Sequence, residues 1–154
     1  MLHIALVSPV IPWNTGNAGR TCLAVGARLH LIEPLGFSID AKNVRRAGLD
    51  YWEHVEPVVW PDWNAFETAL PTLGEAFFFS AEATRDLWSV QYPENTVLVF
   101  GSETEGLPID LRRAHESRLL ALPMAEGPIR SLNLSTTVGI AAYEVLRQRT
   151  ASAR

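Results

Sequence analysis

At 154 residues, with 47% apolar and 19% charged residues, the chain has the size and balance of one globular domain, which excludes a disordered or fibrous protein. No apolar run reaches the ~18 residues that a membrane span needs, the apolar start Ile4-Ala5-Leu6-Val7 has no basic lead-in, and the lone Cys22 excludes a disulfide framework or a Cys-rich metal site. A net charge of −4 argues against a general nucleic-acid binder.

In chain order, a buried strand is expected over residues 3–10, ended by Pro12. Asn14-Thr15-Gly16-Asn17 is turn chemistry, and a helix should follow from about Asn17 to Arg28 with Cys22 and Val25 inward. His30-Leu31-Ile32 reads as a second strand and Lys42 to Leu49 as a short basic helix. Val55 to Trp60 is strand-like, and Trp63 to Leu70 is helical. Glu75 to Ser80 and Thr96 to Phe100 are core strands. Pro108 starts a short helix within 107–114, and Leu119 to Leu122 is the last strand. The final helix is expected over 132–149, with Leu134, Val138, Ala141, Ala142 and Val145 on one stripe. Gly139 inside it permits close approach of another backbone. Strands alternating with helices make this an α/β domain, a mainly parallel sheet flanked by helices. One domain over 1–149 is expected, with a loose tail over 150–154.

The charge is unevenly spread. Residues 50–105 hold eleven acids and one base, Arg85, a net −10; the rest of the chain nets +6. Its basic stretches, Arg20 to Arg46 and Arg112 to Arg149, can hold phosphates if they share a face; a solvated surface is the alternative.

In parallel sheets, ligands bind beyond the carboxyl ends of strands. Three loops qualify: Asn14 to Arg20, Gly101 to Pro108, and Met124 to Asn133. Gly101 and Gly106 have P-loop spacing, but Leu107-Pro108 stands where Lys-Ser/Thr would be, which argues against triphosphate. Ser131, Asn133 and Ser135 sit at a helix mouth, where they can cap the helix or help hold a ligand. Arg20, placed on a first helical turn, would oppose the helix dipole, which disfavours a structural role. Cys22 falls on the core side, away from any nucleophile motif.

Taken together, Asn14-x-Gly16-x-x-x-Arg20, Leu98 to Pro108, and Leu122-Pro123-Met124 with Arg130-Ser131-Leu132-Asn133-Leu134-Ser135 resemble motifs 1, 2 and 3 of the SPOUT-class RNA 2′-O-ribose methyltransferases. Arg45-Arg46-Ala47-Gly48-Leu49-Asp50-Tyr51-Trp52 and the minimal length narrow the resemblance to the branch that acts on the wobble nucleotide of tRNA. The resemblance implies a SPOUT fold with a C-terminal deep trefoil knot, S-adenosyl-L-methionine as cofactor without a metal, S-adenosylhomocysteine as product, and a homodimer. It implies a cytoplasmic enzyme acting on the anticodon stem-loop of leucine tRNAs, with no membrane contact. By motif, Ser80 (with Phe79 as its rival), Gly101, Leu122, Met124 and Ser131 would contact the cofactor. Arg20 would be catalytic, Asn14 and Asn133 would orient the site, and Glu103 would position Arg20 or a motif loop. Tyr143 would face the same site, and Arg45, Arg46 and Arg130 would touch tRNA. A guanidinium is always protonated, so Arg20 suits oxyanion stabilisation better than base catalysis. An RNA-binding protein of this fold without catalysis is the alternative.

Overall fold

The computed structural model describes residues 1–40 and 50–152. The expected basic helix over 42–49, with Arg45 and Arg46, lies outside the described residues. Six parallel strands form one sheet: β1 (Leu2–Val7), β2 (Ala27–Ile32), β3 (Val58–Trp60), β4 (Glu75–Phe79), β5 (Thr96–Phe100) and β6 (Leu119–Leu120). Their order across the sheet is β3-β2-β1-β5-β4-β6. Among the described residues four helices accompany them: α1 (Pro12–Val25), α2 (Trp63–Leu73), α3 (Ile109–Ala114) and α4 (Leu134–Ser152).

Both faces of the sheet are covered, which is why its strands are apolar runs rather than alternating ones. Ile4, Leu6, Leu98 and Phe100 pack with Ala18 and Cys22 of α1 and with Leu134, Val138, Ala141, Ala142 and Val145 of α4. Ala5, Val7, Val97 and Val99 pack on the other face with Phe66 and Leu70 of α2 and Leu111 of α3. The Phe77-Phe78-Phe79 run divides between the two cores, as strand geometry requires. Among the described residues, no helix is long and apolar enough to cross a membrane.

Several boundaries differ from the sequence expectation. Pro12 does not merely end the strand region: it opens α1, where its missing N–H costs nothing. The Asn14-Thr15-Gly16-Asn17 turn is therefore helix, and α1 ends at Gly26, whose φ of 67° is the left-handed cap a glycine adopts freely. Arg20 consequently lies more than two turns inside α1, and the dipole argument drawn from a first-turn placement does not apply. The β1 strand stops at Val7 because Ser8 turns to φ 50°. Val55 is not in a strand but packs in the core beside a short 3-10 turn, Trp52–His54. The last helix runs through residues 150–152, which are not the start of a loose tail.

Candidate active site

The chain order reverses between β1 and β5, so the loops leaving these neighbours diverge and leave a crevice at their carboxyl ends. Glu103 bridges it. One carboxylate oxygen accepts the Val10 N–H at 2.8 Å; the other accepts the Ile11 N–H at 3.1 Å and the Asn14 amide at 3.3 Å. These backbone donors lie at the mouth of α1, where a negative charge is favoured. Asn14 passes the link onward: its Oδ1 accepts the Asn133 amide at 2.9 Å. Asn133 in turn caps α4, its Oδ1 accepting the N–H groups of Ser135 at 2.9 Å and Thr136 at 3.3 Å. One polar chain thus ties together the three loops that the sequence places far apart.

Gly101 sets the shape of the middle loop. A Cβ there would lie 1.9 Å from the Gly106 carbonyl carbon, so only glycine fits. Ser102 and Gly106 exchange backbone hydrogen bonds of 3.2 and 3.0 Å, and Gly106 turns the chain at φ 66°. On the far side, the Ser80 N–H donates to the Leu120 carbonyl at 3.0 Å.

These loops enclose a cavity of about 500 Å³, a volume ordinary for a small-molecule site. Ser80, Gly101, Leu122, Met124 and Ser131 all line it, with Asn14, Glu103 and Asn133. Phe79, the rival of Ser80, lines it too, and its ring stacks on Phe100 at 4.6 Å. Sequence reasoning missed Glu82 and Arg112, which face each other in an ion pair on the wall. Glu82 was discoverable, because it follows the carboxyl end of β4; no sequence signal marks Arg112. Three carboxylates (Glu82, Glu103 and Glu105) against one cation give the cavity an acidic bias.

Arg20 and Tyr143 are not brought to this cavity. Arg20 is exposed, its guanidinium 5.6 Å from the centre of the Tyr51 ring, while the Tyr51 hydroxyl donates to the Gly16 carbonyl at 3.1 Å. Glu103 therefore holds a motif loop here rather than Arg20. Tyr143 is 53% exposed on α4, and Arg130 is exposed on the loop before it. Cys22 is buried and its thiol pushed up to about 12 by burial, which leaves it without nucleophilic character.

A family profile described as SpoU rRNA Methylase family matches residues 1–143. The chain belongs to this family. It is 47% identical over 150 residues to the tRNA (cytidine(34)-2'-O)-methyltransferase of Burkholderia ambifaria, covering 96% of each chain. It is similar to a solved structure described by the words "Structural insights into the 2-OH methylation of C/U34 on tRNA", with 45% identity, a TM-score of 0.90, and 98% and 97% of the two chains covered. An AdoMet-bound rRNA methyltransferase from Sinorhizobium meliloti superposes with a TM-score of 0.78 at 25% identity, over 95% of this chain and 56% of that one. The sheet and the three motif loops of this SpoU-family chain are thus those of a methyltransferase fold.

Proposed function

We propose that this protein transfers a methyl group from S-adenosylmethionine to the ribose 2′-OH of nucleotide 34, C or U, in the anticodon stem-loop of tRNA in the cytoplasm, leucine tRNAs being the first to test. The observation that carries this reading is the cavity beyond the carboxyl ends of β4, β5 and β6, with Asn14 of the first motif loop on its wall beside the other two, in a chain nearly half identical to a relative with that described activity. A knot in the C-terminal part belongs to the same proposal.

The residues present fit the cofactor. Its sulfonium is a cation and suits an acidic cavity; Arg112 suits its carboxylate, and Phe79 and Phe100 give apolar wall beside an adenine. Gly101, Leu122 and Met124 would hold it through backbone groups, and Ser80 and Ser131 through small hydroxyls. When bound, the cofactor supplies an already activated methyl group and needs no metal. The protein's part is then alignment and charge stabilisation. Glu103 fixes the start of α1, and Asn14 and Asn133 orient the substrate's ribose. Arg20 donates hydrogen bonds to the oxygen as it loses its proton to another group or to water.

Arg20 and Tyr143 lie outside the cavity lining, which supports a homodimer in which these exposed groups reach the partner's site. Gly139 fits the same reading: no heavy atom lies within 4 Å of where its Cβ would be, beyond the helix's own backbone, leaving room for a second backbone. Activity tests this reading against the alternative, a binding protein of the same fold without catalysis. Purified protein with methyl-labelled cofactor and leucine tRNA transcripts should label the ribose of nucleotide 34. Arg20→Ala should lower transfer by at least about 100-fold while S-adenosylhomocysteine binding by calorimetry is unchanged. No label in tRNA from the wild-type protein would overturn the proposal.

A further inference from the structure

The chain holds five tryptophans. Trp52 is buried, and Trp60 and Trp63 pack their rings against Phe66. Trp13 is different. It is 64% exposed on the first turn of α1, and its indole makes no hydrogen bond or ring contact with any described residue; Trp88, at 51%, is the other exposed one. Its neighbours Ile11 and Asn14 both form cavity wall. Trp13 is not itself a wall residue, but it stands between those two in the chain. Asn17 and Arg20, four and seven residues on, continue the same helix face, and both are exposed. An aromatic plane at a cavity rim, with a cation farther along one exposed face, matches what an unpaired nucleotide offers. Its base has a π-face and its phosphate a charge.

Resting on the tRNA reading above, we propose that Trp13 is a stacking platform for an unpaired base of the anticodon loop beside the nucleotide presented to the cavity. A base is favoured over a second protein chain because Trp13 stands between two wall residues in the chain and shares its helix face with Arg20, the group that the reading above gives to the substrate. Stacking accepts any base, so Trp13 contributes affinity and placement rather than sequence choice.

The test compares wild type, Trp13→Ala, Trp13→Phe and Trp88→Ala, the last removing another exposed tryptophan that does not line the cavity. Trp13→Ala should raise KM for tRNA by roughly tenfold, with kcat at saturating tRNA, S-adenosylhomocysteine affinity and the mass in solution unchanged. Trp13→Phe should recover most of the loss. An anticodon stem-loop should quench tryptophan fluorescence in the wild type and much less in Trp13→Phe. A wild-type KM in Trp13→Ala, an equal loss in Trp88→Ala, or a change in mass overturns the proposal while leaving the methyltransferase reading intact. A wild-type protein that neither binds nor methylates tRNA overturns both.

Discussion

Two polar clusters, one on each face of the sheet, differ in burial and in what lies beside them. On the α1/α4 side, Asn14 is only 3% exposed, yet its amide network with Glu103 and Asn133 borders a cavity. On the α2 side, His30 is 2% exposed and closed in on every side. The Trp60 indole N–H donates to its Nδ1 at 3.0 Å, so its Nε2 carries the proton and donates to His3 Nδ1 at 2.9 Å. Phe66 lies against the His30 ring at 5.4 Å. Burial, with His3 and Arg28 nearby, pushes His30 down to about 4, and burial also holds His3 below its ordinary value. The histidine row is a satisfied element of the core. The amide network is buried only at Asn14, with Glu103 half-buried and Asn133 exposed, and it leaves groups facing an opening, which makes it the candidate site.

This contrast can be broken at several points. The largest effect is expected from Gly101→Ala, because the added methyl overlaps the Gly106 backbone. Chemical denaturation should show a loss of about 4 kcal/mol or more, with S-adenosylhomocysteine binding abolished; a wild-type midpoint would mean that this loop is not rigid. Acid should strike the histidine row next. His30 binds a proton near pH 6.5 when unfolded but only near 4 when folded, so the unfolded state takes up more protons between those values. Stability is complete above pH 6.5 and falls as pH drops toward 4, by about 3 kcal/mol. Urea midpoints at pH 7 and pH 4.5 measure this, and equal midpoints would remove the row from the core account. Methyl transfer at neutral pH should not depend on it.

Glu103→Gln keeps the shape but removes the charge that two backbone N–H groups and Asn14 share. Stability should fall by about 1–2 kcal/mol, and transfer should fall further than cofactor affinity does. Asn133→Ala removes a helix cap and the partner of Asn14, for about 1 kcal/mol and a measurable rise in KM for tRNA. If it costs stability alone, Asn133 is a cap and nothing more.

The motif loops were legible because their residues serve backbone demands that show in the letters. Gly101 and Gly106 mark a turn no larger residue allows, and Asn133 followed by a helical stripe marks a capped start. The alternation of apolar runs with amphipathic stretches likewise marks a parallel α/β sheet, and the α4 stripe is buried at Leu134, Val138, Ala141, Ala142 and Val145. The start of α1 departs from the sequence expectation because Pro12, Asn14 and Gly16 are turn formers locally. The Glu103 carboxylate, held by residues about 90 positions away, supplies the negative end that lets the helix begin there.

Sequence by itself therefore determined the elements, the cores and the loops that border the cavity, because these follow from periodicity and from backbone constraints within a few residues. Tertiary structure alone decided that Glu103, Asn14 and Asn133 form one chain, that Glu82 and Arg112 meet on a cavity wall, and that Arg20 stands outside it. Those facts depend on the strand order β3-β2-β1-β5-β4-β6. That order sets β1 beside β5 and brings distant loops to one crevice, and no local pattern encodes it.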